Sequence, residues 1–368
     1  GNIMSEKTIG FIGLGLIGGS IAKALRRVHP EYRLIAYNRS RSSLVEAMSD
    51  GTINQATDVI DSSFAECDFI FLCMPVSVNI QCLKKLKELV PDTCVITDVG
   101  SVKSTIHEAV RELGMEARFI GGHPMAGSEK TGYASASDRL LENAYYIITP
   151  TPLSDPDKVE EMRQLVTDTG AVSIVLDYDE HDYATAAISH LPHVIAYTLV
   201  NLVRTSDNPK GLMRQLAAGG FKDITRIASS SPDMWESICL ENKDQLLKVI
   251  DAYKSSLDDI AEAICRDQGE KLHHFFEEAK DYRDSMPMKM KDSIEPAYEI
   301  YVDLIDEPGA IATIATILAS NRISIKNIGI LHNREFQEGV LKIEFYERDA
   351  VEKATAILSK YSYIIHTR

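Results

Sequence analysis

The sequence predicts three successive architectures: an α/β domain over residues 5–176, an all-α domain over 177–284, and an α+β module of order βαββαβ over 298–368, with a linker at 285–297. Three observations predict it. Apolar strand-like runs alternate with helical periodicity up to about residue 176, which is the pattern of a parallel sheet flanked by helices. Helical periodicity alone then continues to about residue 282. After the proline- and methionine-rich stretch Ser285-Met-Pro-Met-Lys-Met-Lys, short strands and helices resume.

Composition sets outer bounds. A chain of 368 residues with 45% hydrophobic and 25% charged residues is ordinary for a globular protein of two or three domains. The net charge of -15 argues against nucleic acid or an anionic membrane as partner, so an anionic substrate needs a local cluster of cations. The six cysteines form no CxxC pair and mostly lie in apolar runs, which reads as reduced core thiols of a cytoplasmic protein. The longest apolar run, 69–76, falls far short of the ~20 residues of a membrane span.

Residues 7–13 read as a buried strand that runs into Gly13-Leu-Gly15-Leu16-Ile17-Gly18-Gly19-Ser20, and a helix follows. GxGxxG between strand and helix is the setting of a Rossmann-type dinucleotide site. Gly13 permits the tight turn, Gly15 lets a pyrophosphate reach the backbone, and Gly18 lets helix and strand pack closely. Leu16 and Ile17 open the helix, whose free N–H groups and dipole favour phosphate. The plainer alternative is a glycine-rich turn without a ligand.

The second strand, 33–37, ends at Asn38-Arg39-Ser40-Arg41. NAD sites usually carry Asp or Glu here for the ribose 2′-hydroxyl. Asn38, Arg39 and Ser40 suit a 2′-phosphate better, so the cofactor is read as NAD or NADP, with the balance toward NADP. Alternatively the arginines are solvated residues opening the next helix. The strand at 68–74 closes at Pro75. The strand at 93–97 leads through Asp98-Val-Gly100-Ser101-Val-Lys103 into a helix ending near 113. Pro75, Gly100 and Ser101 thus fall beyond the carboxyl ends of the strands, where doubly wound sheets bind ligands. Ser101 reads equally well as the N-cap of the following helix. Strands at 144–148 and 171–176, around a helix near 157–167, complete this domain.

Residues 118–121 deliver Gly121-Gly-His123-Pro-Met-Ala-Gly-Ser128-Glu129-Lys-Thr-Gly132 to the same edge. Four glycines and a proline in twelve residues exclude a regular helix or central strand here. The segment reads as a loop carrying a histidine with hydroxyl, carboxylate and ammonium beside it, against the bland alternative of a surface turn. In the all-α part, His190 and His193 of Ser189-His190-Leu-Pro-His193 share a helix face, and Pro192 should kink or restart that helix. With no third ligand at a suitable spacing, no metal is expected. Lys222 and Arg226 lie four apart on one helical face, and Arg grips a carboxylate bidentately as Lys does not. Long apolar faces such as 242–265 suit a dimer interface.

Taken together, the segments 13–20, 100–103, 122–132, 189–193 and 219–226, in that order, resemble the prephenate dehydrogenase family, and the tail resembles an ACT domain. The resemblance implies NAD(P)-dependent oxidative decarboxylation of prephenate to 4-hydroxyphenylpyruvate in tyrosine biosynthesis, by a cytoplasmic homodimer. It implies that His123 is the catalytic histidine engaging the ring hydroxyl, that Ser101 lies beside that hydroxyl, and that Arg226 holds a substrate carboxylate. Ser128, Glu129, His193 and Lys222 are implied to support the substrate. The ACT domain is implied to sense L-tyrosine, with Gly309 and Asn327 as pocket residues; a dimerising domain without ligand is the alternative. Where many relatives carry Asp, this chain has Asn38-Arg39. Rival readings are an arogenate dehydrogenase, a 6-phosphogluconate-type dehydrogenase, and a non-catalytic sensor of dinucleotide and amino acid.

Overall fold

The computed structural model describes residues 6–127, 130–286, 298–304, 307–331 and 339–366. The chain forms two compact units dividing between Lys280 and Asp281.

In the first unit, β1 (Thr8–Ile12), β2 (Arg33–Tyr37), β3 (Gln55–Thr57), β4 (Phe69–Leu72) and β5 (Val95–Asp98) form a parallel sheet in the order β3-β2-β1-β4-β5. Side chains alternate across it. Phe69 and Phe71 join the core under the helix Leu16–Val28, while Ile70 and Leu72 join the one under Val76–Leu89 and Ser104–Glu112. A strand buried on both faces therefore reads as an unbroken apolar run, as Phe-Ile-Phe-Leu does. The short edge strand β3 has no such run and is not foreseen in the sequence.

β6 (Ile120–Pro124), β7 (Tyr145–Pro150) and β8 (Val172–Val175) form a second sheet, with β6 antiparallel to β7 and β7 parallel to β8. A bridge between Ile96 and Phe119 sets β6 beside β5. This corrects the expectation of a loop: Gly121, Gly122, His123 and Pro124 belong to a strand between β5 and β7. The glycines make that strand possible. A Cβ on Gly122 would sit 2.8 Å from the Asp98 carbonyl oxygen, and one on Gly121 would collide with the Thr149 hydroxyl and lie 2.7 Å from His107 Nε2.

The rest of this unit is helical. Tyr178–Thr185, a π-helical turn at Ala186–His190 and Leu191–Ser206 run on as one rod, and Pro192 follows directly on the π-helical turn, where the regular hydrogen-bond ladder is already interrupted. The rod is long and apolar enough to cross a membrane by length and composition, although no unbroken apolar run in it is long. Its buried side chains include His181, Asp182 and His190. Outward it exposes Ile188 and Leu202, and later helices expose Leu216, Ile224, Leu240 and Ile264. Cys67, Cys82 and Cys94 are core residues as expected; Cys265 is exposed, because its helix Lys243–Cys265 buries mainly Leu246, Val249 and Ala263.

In the second unit β9 (Glu299–Leu304), Ala310–Ser320, β10 (Asn327–Leu331), β11 (Gly339–Glu344), Arg348–Lys360 and β12 (Ile365–His366) follow the βαββαβ order. The strands form an antiparallel sheet, β10-β11-β9-β12. Ile300, Val302, Leu341 and Ile343 pack there against Ile314, Leu318, Ala354 and Leu358.

Candidate active site

The sheet order reverses between β1 and β4, and the crevice at their carboxyl ends is where a doubly wound sheet accepts a dinucleotide. The glycines there divide their work by geometry. Gly13 has φ +101°, a conformation that favours glycine, and a Cβ would meet Met74 Sδ at 2.9 Å. A Cβ on Gly18 would lie 2.5 Å from the Gly13 carbonyl oxygen. Gly15 instead faces open space, with nothing within 4 Å of a Cβ. Such a cradle, next to the free N–H groups of Leu16 and Ile17 at a helix start, fits a pyrophosphate. Asn38 Oδ1 accepts the Leu14 N–H at 3.1 Å and so braces the turn, while Arg39 and Ser40 are exposed. Pro75 precedes the helix Val76–Leu89 at the facing strand end.

Beyond β5, Asp98 organises the next layer. Its Oδ2 accepts the Gly100 N–H at 3.1 Å and the Lys103 ammonium at 2.5 Å; its Oδ1 accepts the Gly122 N–H at 3.2 Å. Lys103 Nζ also donates to the Gly122 carbonyl, and the ammonium is fully buried. Burial lowers the Lys103 pKa, against the pull of Asp98. This pair pins β6 to the end of β5 and fixes where His123 stands. Ser101 lies half-buried between them but does not cap the helix, which begins at Ser104. The cap comes from far along the chain: Asp182 accepts the N–H groups of Lys103 and Ser104, each at 2.8 Å.

His123 is half-buried, and its Nδ1 lies 2.7 Å from His181 Nε2, the rings edge to face. His181 Nδ1 in turn lies 2.7 Å from Asp182 Oδ1. Burial, then the neighbouring His181 and Lys103, hold the His123 pKa well below its ordinary value. Burial alone would raise Asp182, but hydrogen bonds from His181 and from the Lys103 and Ser104 N–H groups outweigh it and keep it low.

Further along the rod, His193 donates from Nδ1 to the Ser189 carbonyl and stacks on Trp235 at 3.7 Å, while His190 meets the edge of the same indole. Asn242 joins these groups, donating to the Asp182 carbonyl and contacting His190 Nδ1, each at 3.0 Å. Lys222 lies on the helix Gly219–Thr225 and Arg226 in the turn after it, both exposed; neither side chain makes an ion pair or hydrogen bond among the described residues. That segment packs on Leu191–Ser206, where the Tyr197 hydroxyl donates to the Ser230 carbonyl at 2.6 Å. Ser128 and Glu129 lie outside the described residues.

Asp98, Lys103, His181, Asp182, Asn242 and Trp235 are absent from the sequence-based set. A carboxylate closing a buried strand, as Asp98 closes β5, was the available signal. His181-Asp182 in a helix gave none.

Two buried histidines set an acid limit on stability. Burial pushes His107 and His190 each down to about 4. Unfolded imidazoles titrate near ~6.5, so as pH falls protons bind the unfolded chain first. Their contribution is complete above pH ~6.5 and is lost progressively toward about 4, at most roughly 3 kcal/mol each. Melting curves should show Tm falling through this window; a flat Tm would contradict it.

Similarity to known proteins agrees with this geometry. Residues 21–175 match the nucleotide-binding domain of prephenate dehydrogenase, and residues 177–278 its dimerization domain. The chain is 42% identical to a prephenate dehydrogenase of Bacillus subtilis over 351 residues, 95% of each chain. Among solved structures it resembles a prephenate dehydrogenase from A. aeolicus in complex with hydroxyphenyl propionate and NAD+, at 34% identity and a TM-score of 0.71, covering 78% of this chain and 100% of that one. It also resembles the Synechocystis arogenate dehydrogenase, at 32% identity and a TM-score of 0.71, covering 75% and 99%. With a dinucleotide cradle, a histidine at the strand ends and this degree of identity along nearly its whole length, the chain belongs to the prephenate dehydrogenase family of oxidoreductases.

Proposed function

We propose that this enzyme oxidises and decarboxylates prephenate to 4-hydroxyphenylpyruvate with His123 as the general base. The observation that carries the reading is the placement of His123: a strand residue next to the dinucleotide crevice, half-buried, with its pKa held low. The bound nicotinamide supplies the hydride acceptor. The chain's own task is to orient the substrate and take one proton from the ring hydroxyl. His123, neutral around pH 7 because its pKa is depressed, takes that proton, and Ser101 sits on the neighbouring loop to orient the hydroxyl. Arg226 holds a substrate carboxylate, and Lys222, Ser128, Glu129 and His193 support the substrate around it. The exposed Arg226 and Lys222 are the local cations that a chain of net charge -15 needs for this substrate.

Gly13, Gly15, Leu16, Ile17, Gly18, Pro75 and Gly100 line the cofactor site. Residues 38–41 favour the 2′-phosphate, and hence NADP, because Asn38 is spent on the turn and Arg39 is free to reach a phosphate. Higher kcat/KM with NAD would overturn that preference. The three-part division at about residues 176 and 297 assigns the outer helices to homodimer contact, with Ile188, Leu202 and Leu240 covered by a second copy. In the C-terminal unit, an ACT-like βαββαβ fold, Gly309 with φ +85° and the exposed Asn327 line a site for L-tyrosine. Calorimetry with tyrosine, paired with inhibition assays, tests this.

A second reading is arogenate as substrate, favoured by equal structural likeness to the Synechocystis enzyme. Prephenate and arogenate, each offered with NAD and NADP and followed by absorbance of the reduced cofactor, separate the readings. Arg226→Ala should raise KM for prephenate roughly 10–150-fold, the loss of a hydrogen bond to a charged group, with a smaller change in kcat. An unchanged KM removes Arg226 from the substrate site.

A further inference from the structure

Asp182, His181 and His123 form a continuous hydrogen-bonded row that ends at the reacting centre, and the direction of each bond is determined by chemistry. We infer that His181 and Asp182 are positioning residues that hold His123 in the tautomer protonated on Nδ1, leaving Nε2 bare to receive the substrate proton. The inference rests on the reading of His123 as the base.

An ionised carboxylate only accepts. Asp182 Oδ1, 2.7 Å from His181 Nδ1, therefore fixes the proton of a neutral His181 on Nδ1. His181 Nε2 is then a lone pair, with His123 Nδ1 at 2.7 Å and the Thr185 hydroxyl at 3.3 Å, and both of these must donate to it. The proton of a neutral His123 is thereby placed on Nδ1. Asp182 cannot turn away to relax the row, because its two oxygens also accept the Lys103 and Ser104 N–H groups at the start of a helix.

In the reaction the substrate O–H bond breaks and its proton forms a bond to His123 Nε2. His123 becomes an imidazolium that keeps its Nδ1–H bond to His181; no proton passes on to His181 or Asp182. The charged groups around this imidazolium are Lys103 from the β5 side and His181, Asp182 and His190 from the rod. Of these only Asp182 favours the new charge, and it acts through His181.

The test uses the full-length enzyme with ¹⁵N-labelled histidine. The expected spectrum shows His123 protonated on Nδ1 and bare on Nε2 near neutral pH. In His181→Leu the proton should move to Nε2, the tautomer an unconstrained histidine prefers. kcat should fall roughly 10²–10⁴-fold while KM for prephenate and the cofactor Kd stay near wild type. Asp182→Asn, with its oxygen still accepting the Ser104 N–H and its amide N–H turned to His181 Nδ1, should give the same spectral change with a milder loss, and serves if His181→Leu does not fold. A wild-type His123 carrying its proton on Nε2 overturns the inference, as does an undiminished kcat in His181→Leu. Near-normal turnover in His123→Asn would instead strike at the identity of the base.

Discussion

His123→Asn should cost roughly 10²–10⁴-fold in kcat while the dissociation constant for the dinucleotide stays as it was. The asymmetry follows from where the residue stands. His123 lies on β6, across the end of β5 from the glycine turn, and among the described residues no hydrogen bond ties it to residues 13–18. Asparagine keeps a polar group of similar reach and can still donate to His181, so the strand is left undisturbed. What goes is the nitrogen lone pair that, on the proposed mechanism, receives the proton. Because burial, with the nearby His181 and Lys103, depresses the His123 pKa, the wild-type acid limb of kcat/KM should lie below ~6.5, and activity should be lost as pH falls through it. Steady-state kinetics across pH, with equilibrium dinucleotide binding on the same samples, measure both halves. A variant with wild-type kcat would exclude His123 as the base.

The second large effect concerns stability. Lys103→Met should destabilise the first unit by about 3–5 kcal/mol, because it strands a buried carboxylate. Asp98 loses the ammonium at 2.5 Å, and the Gly122 carbonyl loses a donor at the same moment. Asp98→Asn added to Lys103→Met should recover part of the loss, since the amide carries no charge to strand and its oxygen still accepts a backbone N–H. Urea denaturation of the two variants and the wild type gives the comparison. Equal stability of Lys103→Met and wild type would show that the buried pair contributes nothing net.

Much of this molecule was legible in its residue order, for identifiable reasons. The glycine turn could be assigned because each glycine has a separate steric duty, and Gly13, Gly15 and Gly18 show those duties as a positive φ, an open face and a close backbone contact. The strands buried on both faces announced themselves as apolar runs, as did the βαββαβ order of the tail. β6 did not, because its glycines speak locally for a turn while the packing of Asp98, Tyr146 and Thr149 around them demands a strand. Local propensity lost to tertiary fit. The helix start at Ser104 stayed open for a similar reason: Ser101 offers a cap in one dimension, and the group that caps it, Asp182, is 78 residues away. His181 was invisible because its importance lies wholly in what it touches.

Asp182 has one more implication. The same carboxylate clasps the first helix turn beyond β5 and holds the imidazole pair, so the seat of the helical rod and the orientation of His123 share one anchor. Were the rod to swing off the sheet, His123 would lose its orientation together with its shelter. If His123 is the base, one carboxylate anchors both a helix start and the reacting imidazole, and a substitution at Asp182 should register in stability and in turnover together.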